Sequence, residues 1–431
     1  MSSTCYDWVT MSIVERNWAG NVTCSPAAVA RPQRVAELQE VVAAAAARGN
    51  RIRAVGARHS FSSIGSTEGS LVVMDDLRAV VDVDRDRSTV TVEAGIRYTD
   101  LAPLLHAEGL ALHNLASLPH LSVAGAIATA THGSGDGNQN LAGAVVSIDV
   151  VDATGQIVRI ERGTDDGSAA IVGLGGFGVV ATVTLRVEPT FDVAQEVLVG
   201  LPVAAGLRHL DEILGSADSV SLFTDWRDDS FHQVWRKYRV DGGADGLAER
   251  FGASVADVSM HPVRGMDAAA CTPQLGRAAP WHERLPHFRP DAVPSVGAEL
   301  QSEYFVDRAN GAGAVEAVRA LRDRLAGLVL VSELRSVAAD EFWLSPAYGR
   351  DSLAIHFTWR PDPVAVTAAV TAIESALAPF DARPHWAKIA RVPPGELRAR
   401  FPRLDEWAAR RRRFDPGGAF LNEFLDRVMY P

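Results

Sequence analysis

The chain has 431 residues, of which 47% are hydrophobic and 22% charged, with a net charge of −11 at pH 7. That acidic balance excludes a nucleic-acid-binding protein, which would need a basic face, and the apolar content is that of an ordinary folded chain long enough for two or three domains. Three cysteines, Cys5, Cys24 and Cys271, are too few and too scattered for a disulfide framework or a zinc cluster.

No apolar run suggests a membrane span, and the N-terminus lacks a basic region followed by a hydrophobic core, so a cytoplasmic enzyme is expected. Met11-Ser12-Ile13-Val14 reads as a second start, and residues 1–10 are expected to be an extension that adds little to the fold. A helix follows Arg31-Pro32, with Val35, Leu38, Val41, Val42 and Ala45 at helical spacing and Gly49-Asn50 as its stop. Ile52 to Val55 then predicts a short strand feeding a first glycine-rich loop, Gly56-Ala57-Arg58-His59-Ser60-Phe61. Two strands, Val80–Val83 and Thr89–Glu93, precede a helix from Tyr98 to Glu108.

A second glycine-rich stretch runs from Leu115 to Gly135 and contains Ser117-Leu118-Pro119-His120 and Thr131-His132-Gly133-Ser134-Gly135. Glycine lets backbone approach a ligand, and such loops offer N–H groups to anionic or carbonyl oxygens. The two loops together suggest a bound cofactor carrying phosphates and a hydrogen-bonding ring. Strands are expected at Val145–Val151, Gln156–Glu161 and Val179–Val187. Gly173-Leu174-Gly175-Gly176-Phe177-Gly178 matches G-x-G-x-x-G, but β-branched residues follow it, which is the wrong order for a nicotinamide dinucleotide unit.

From about Phe191 longer strands appear: Ser219–Trp226, Phe231–Tyr238, Glu299–Val306, Leu328–Val337 and Leu353–Trp359, with helices at Ala314–Leu325 and Pro363–Leu377. Met260 to Pro294 has no periodicity and reads as a long loop over the site. The run Arg410 to Arg413, before Asp415-Pro416-Gly417-Gly418, reads as the solvated end of a helix. The mixture predicts an α+β fold. Within the later strands Glu333 and Arg335 share one sheet face, and so do His356 and Thr358, because residues two apart point the same way. Each pair taken alone is also compatible with a solvent-exposed face. His385-Trp386-Ala387-Lys388 adds a histidine and a lysine after Arg383-Pro384.

Across about Asn17 to Asn422, these motifs resemble the vanillyl-alcohol-oxidase superfamily of flavoproteins, and within it the bacterial alditol oxidases of the sugar-alcohol/aldonolactone oxidase group. The resemblance implies a two-domain (PCMH-type) FAD-binding fold: residues 1–189 for the flavin, 190–383 for the substrate, and 384–431 returning to the flavin domain. It implies FAD carried covalently by His59, with Ala54, Val55, Gly56, Ala57, Arg58, Ser60, Ser117, Ser122, Gly125, Thr129, Ala130, Thr131, His132, Val180 and His385 around it. It implies Lys388, Arg335, Glu333, His356 and Thr358 as catalytic positions, and Ser117, Gln301, Glu333, Arg335 and Thr358 as substrate contacts. Residues Trp343 to Arg350 match as well, while Gly242 to Val258 departs from the pattern. The implied reaction oxidises a terminal hydroxyl of an alditol of the xylitol or sorbitol type, with oxygen reduced to hydrogen peroxide. The alternative on the same fold is an aldonolactone oxidase or dehydrogenase. No metal, nucleic acid or membrane is expected, and a monomer is.

Overall fold

The structure is a computed structural model describing residues 14–240, 247–292 and 298–429; the expected extension at residues 1–10 lies outside them. Short strands build the N-terminal half. Ala28–Ala30, Ser70–Val73 and Ile52–Val55 form a parallel three-stranded sheet. The helix Val35–Ala47 covers it, burying Leu38, Val41, Val42 and Ala45 at helical spacing. Ile157–Glu161, Val145–Val151, Val179–Arg186, Thr89–Glu93 and Val80–Asp84 make a five-stranded antiparallel sheet in that order. Burial alternates strictly along Val179–Ala181–Val183–Leu185, the mark of a strand with one covered face.

The strand Val179–Arg186 also decides the glycine motif before it. Gly173 to Gly178 joins the helix Asp165–Ala170 to this strand, so the order is helix, glycines, strand. Leu174, Gly175 and Gly178 take positive φ in the turn. Arg53 donates to the carbonyls of Leu174, Gly175, Ile64 and Phe420, tying three separate segments to one buried guanidinium. Burial lowers its pKa to about 10.

A nine-stranded sheet occupies residues 192–384. Its main path runs Ser254–Val255, Asp192–Pro202, Ser230–Arg239, Ser219–Thr224, Val329–Val337, Ser352–Trp359, Leu300–Asp307 and Arg383–Pro384. Ala279–Pro280 adds to Asp192–Pro202. The eleven-residue strand Asp192–Pro202 and the short helix Val123–Ala128 escape the sequence reading: Gly200 and Pro202 blur the strand, and small side chains with Gly125 mask the helix. The single helix expected over 314–325 is two, Gly311–Arg319 and Arg322–Leu325, because Leu321 closes back on Val318 in a tighter i→i−3 turn.

The helix Pro363–Leu377 packs behind this sheet through Val366, Val370, Ile373 and Leu377. By length and composition Pro363–Phe380 would also suit a membrane. Its apolar stripe instead meets Tyr304, Ile355 and Phe357 of the sheet's rear face. The chain then returns to the N-terminal half through residues 385–429, where Asn422 donates to the carbonyls of Ser63, Ile64 and Ser66. The arginine run ends the helix Leu404–Phe414, but it is not all solvated. Arg411 is buried and paired with Asp415 at 3.0 Å, and Arg410 reaches Asp165 and Asp166.

Candidate active site

The first glycine loop leaves the parallel strand Ile52–Val55 at Gly56 and turns at Arg58, which has φ 59°. Four neighbours brace it. Trp18 donates its amide to the Arg58 carbonyl at 2.9 Å, Asn17 and Asn21 reach the Ser60 and Phe61 carbonyls, and Phe61 donates to the Ala387 carbonyl at 2.6 Å. The indole of Trp18 stacks on the His59 ring with centroids 4.8 Å apart. Burial, aided by Lys388, lowers His59 to about 4, so its imidazole is neutral and carries a free lone pair at neutral pH.

The second loop meets the first where the helix Val123–Ala128 begins. A Cβ on Gly56 would sit 2.1 Å from Ser122 Oγ and 2.7 Å from Ser122 Cβ, so the first loop needs glycine to come this close to the second; within the second, a Cβ on Gly125 would sit 2.7 Å from the same Oγ. The amides of Gly56, Ala57, His59 and Ser60 find no acceptor among the described residues. Successive free amides at a turn make an anion cradle. The loops therefore fit a phosphate-bearing cofactor, with the neutral His59 ring beside it.

Both loops open on a cavity of about 330 Å³ whose opposite wall is the front face of the nine-stranded sheet. Register puts Glu303, His356 and Glu333 in one cross-strand row, with Thr358 and Gln301 opposite each other one step on. Arg335 Nη2 donates to Glu303 Oε1 at 2.7 Å and Nη1 to Ser117 Oγ at 3.1 Å, bridging sheet and loop. His132 Nε2 lies 3.1 Å from the same Glu303 oxygen. Lys388 Nζ donates to Gln301 Oε1 and stands 5.2 Å from the Phe61 ring centre.

The charges are fixed by these contacts. Burial by itself would raise Glu333 and Glu303, but it is outweighed by Arg335 and His287 at Glu333, and by His132 and Arg335 at Glu303. Both stay well below the ordinary carboxylate range and are anionic. Burial pushes His356 down to about 3, leaving it neutral. Lys388 is lowered by burial and by Arg335, against the pull of Glu303. An amine in that state is suited to proton transfer. His132, Glu303 and His385 also bring ligand-type atoms within 4.8 Å of one another. Glu303 there is already paired with Arg335 and His132.

Of the cofactor, catalytic and substrate positions that the resemblance implies, all line this cavity except Ala130 and Val180. Ala130 is buried at a left-handed turn of φ 55°, and Val180 faces a separate small apolar void beside Ile127 and Ala128. Among the lining residues that were missed are Glu299, Glu303 and His287. Glu303 obeys the same two-residue rule as Glu333 and Arg335, since Gln301 and Glu303 share a face of Leu300–Asp307. His287 lies in the segment expected to cover the site; the structure places His261, Val263, Met266 and Phe288 of that segment along the cavity as well. No periodicity could have revealed them.

Two family descriptions match the chain, an FAD binding domain over residues 26–161 and a D-arabinono-1,4-lactone oxidase over residues 298–428. An alditol oxidase from a Streptomyces species is 47% identical over 96% of this chain and 99% of that protein. The chain belongs to the alditol oxidase family of FAD-dependent flavoenzymes. L-gulono-1,4-lactone dehydrogenase of Mycobacterium tuberculosis is 33% identical over 98% of the chain and all of that protein. The fold is that of cholesterol oxidase from B. sterolicum, at a TM-score of 0.79 and 14% identity over 99% of this chain and 98% of that one. The expected flavoprotein fold and α+β class are therefore correct, and the protein is an FAD-dependent oxidoreductase.

Proposed function

We propose that this member of the alditol oxidase family oxidises a terminal hydroxyl of an alditol, of the xylitol or sorbitol type, to the aldose, and that His59 carries the FAD covalently. FAD, when bound, accepts the hydride from the alcohol carbon and delivers the electrons to oxygen, giving hydrogen peroxide. The observation that carries the reading is the sheet face opposite the glycine loops, where Glu303, Glu333, Arg335, His356, Thr358, Gln301 and Lys388 converge on one cavity. Such a wall suits a polyol, because each buried hydroxyl needs a partner.

The residues divide the work. Lys388 takes or shares the proton of the reacting hydroxyl, and with Arg335 it stabilises alkoxide character as it develops. Glu333 accepts hydrogen bonds from the polyol and holds the reacting carbon in place. His356, Thr358, Gln301 and Ser117 complete the hydroxyl contacts. The neutral His59 ring, held against Trp18, supplies the lone pair that a bond to the flavin methyl requires. Oxidation of an aldonolactone is the second reading, favoured by the match over residues 298–428.

The test is anaerobic reduction of the purified flavoprotein by xylitol, sorbitol and an aldonolactone, followed by peroxide release in air. Rapid bleaching by the alditols and slow bleaching by the lactone is the expected result; the reverse order replaces this reading with the second.

A further inference from the structure

Behind Glu333 lies a buried pair that the chemistry above does not use. Lys237, on the strand Ser230–Arg239, has no solvent exposure, and its ammonium donates to the carbonyls of Leu285 and Pro286 at 2.5 and 2.9 Å. Its third contact is His287 Nδ1 at 2.9 Å. The other ring nitrogen, Nε2, lies 2.7 Å from Glu333 Oε1, with Ser221 Oγ more distant at 3.4 Å.

Counting hydrogens settles the ring. An ammonium has three N–H donors and no acceptor, and here three acceptors surround it. Nδ1 must accept, so the imidazole proton sits on Nε2 and is donated to Glu333. Burial lowers Lys237 to about 7 against the pull of Glu333, but a neutral amine would spend its two hydrogens on the carbonyls and take a proton from Nδ1, leaving a bare Nε2 facing a carboxylate. The same histidine is tied to the flavin side through its amide, which donates to the Ser117 carbonyl at 2.9 Å, while Ser117 Oγ accepts from Arg335. Glu333 Oε1 is thus occupied. Oε2, 3.6 Å from Arg335 Nε, keeps lone pairs for the cavity.

We propose that Lys237 and His287 are positioning residues that hold Glu333 as an aimed, acceptor-only carboxylate, with Oε2 presented to a donating substrate hydroxyl. The inference rests on the polyol reading of the site and adds the residues that aim its carboxylate.

Three variants of the holoenzyme test it: His287→Leu, His287→Gln and Lys237→Met. Glutamine can still donate to Glu333; leucine cannot. The expected loss of kcat/KM for xylitol in His287→Leu and Lys237→Met is about tenfold to a hundredfold, that of a buried hydrogen bond left unmade. His287→Gln should stay within about fivefold of wild type, because its amide still donates to Glu333. An unchanged kcat/KM for xylitol in His287→Leu at wild-type flavin content overturns the proposal. So does an equal loss in His287→Gln. NMR of the 15N-histidine-labelled wild type is independent of the variants' folding: it should show His287 as the Nε2–H tautomer, and an Nδ1–H tautomer or an imidazolium refutes the pair. A wild type that turns over the lactone and not xylitol would overturn the polyol reading, while the tautomer would still judge the pair.

Discussion

Each reacting side chain owes its state to neighbours that are remote in sequence. Lys388 is surrounded by protein beside Arg335, and among the described residues Gln301 and the Phe61 face hold its amine. Its charge or basicity is needed most as the hydroxyl proton departs, so Lys388→Ala should lower flavin reduction by xylitol about 100- to 1000-fold. Lys388→Met should fail similarly, with the melting temperature little changed; anaerobic stopped-flow traces within a few-fold of wild type would remove the lysine from the mechanism. His59→Ala should leave a colourless pellet after acid precipitation, and a yellow one would place the attachment elsewhere. Ala116, buried next to Ser117 on the cavity wall, is expected to limit oxygen at the flavin edge. Ala116→Gly should alter reoxidation while leaving reduction by substrate nearly intact, and equal reoxidation traces would refute this.

Between elements, the decisive contact is the one joining the two glycine loops. Gly56 follows a parallel strand, Ser122 precedes a helix, and they meet with no room for a β-carbon. Gly56→Ala should push the loops apart at a cost of about 1–3 kcal/mol, the usual range for overpacking. The double variant Gly56→Ala/Ser122→Gly removes the obstructing hydroxymethyl and should recover part of the loss. Flavin content and melting temperature of the three proteins decide it; no recovery in the double variant would show that the strain lies elsewhere. The polar strands were legible at this scale because the period of two is local. Glu333, Arg335, His356 and Thr358 could be assigned to faces from sequence, and Glu303 would have followed had the same rule been applied to Leu300–Asp307.

Over the whole molecule, several histidines are buried without charge. Burial holds His287 near about 4, His356 near about 3 and His385 well below the ordinary value. Between those values and about 6.5, the unfolded chain binds protons that the folded chain refuses, so stability must fall as pH falls through this window. Asp340, pushed up to about 7 by burial, acts in the opposite sense, since its folded form takes a proton over the same range. His113, lowered to about 4 by burial, joins these histidines, and Glu374, raised by burial, joins Asp340; the histidines outnumber the two carboxyls, which gives a net loss. The holoenzyme should melt progressively lower from pH 6.5 toward pH 4 in calorimetry, and a flat profile would contradict the buried neutral histidines.

What the sequence determined by itself was the repeating and the local. The helix Pro363–Leu377 and the strand Val145–Val151 emerge with the observed bounds because their apolar periods are unbroken. The misleading glycine motif could be rejected because β-branched residues follow it. Tertiary structure alone decided the rest. Lys237, His287 and Glu333 come from three distant stretches, and whether His287 donates or accepts depends on an ammonium fifty residues away in the chain. Burial, register across nine strands and the direction of a single proton are properties of the packed molecule, since each depends on partners that only folding brings together.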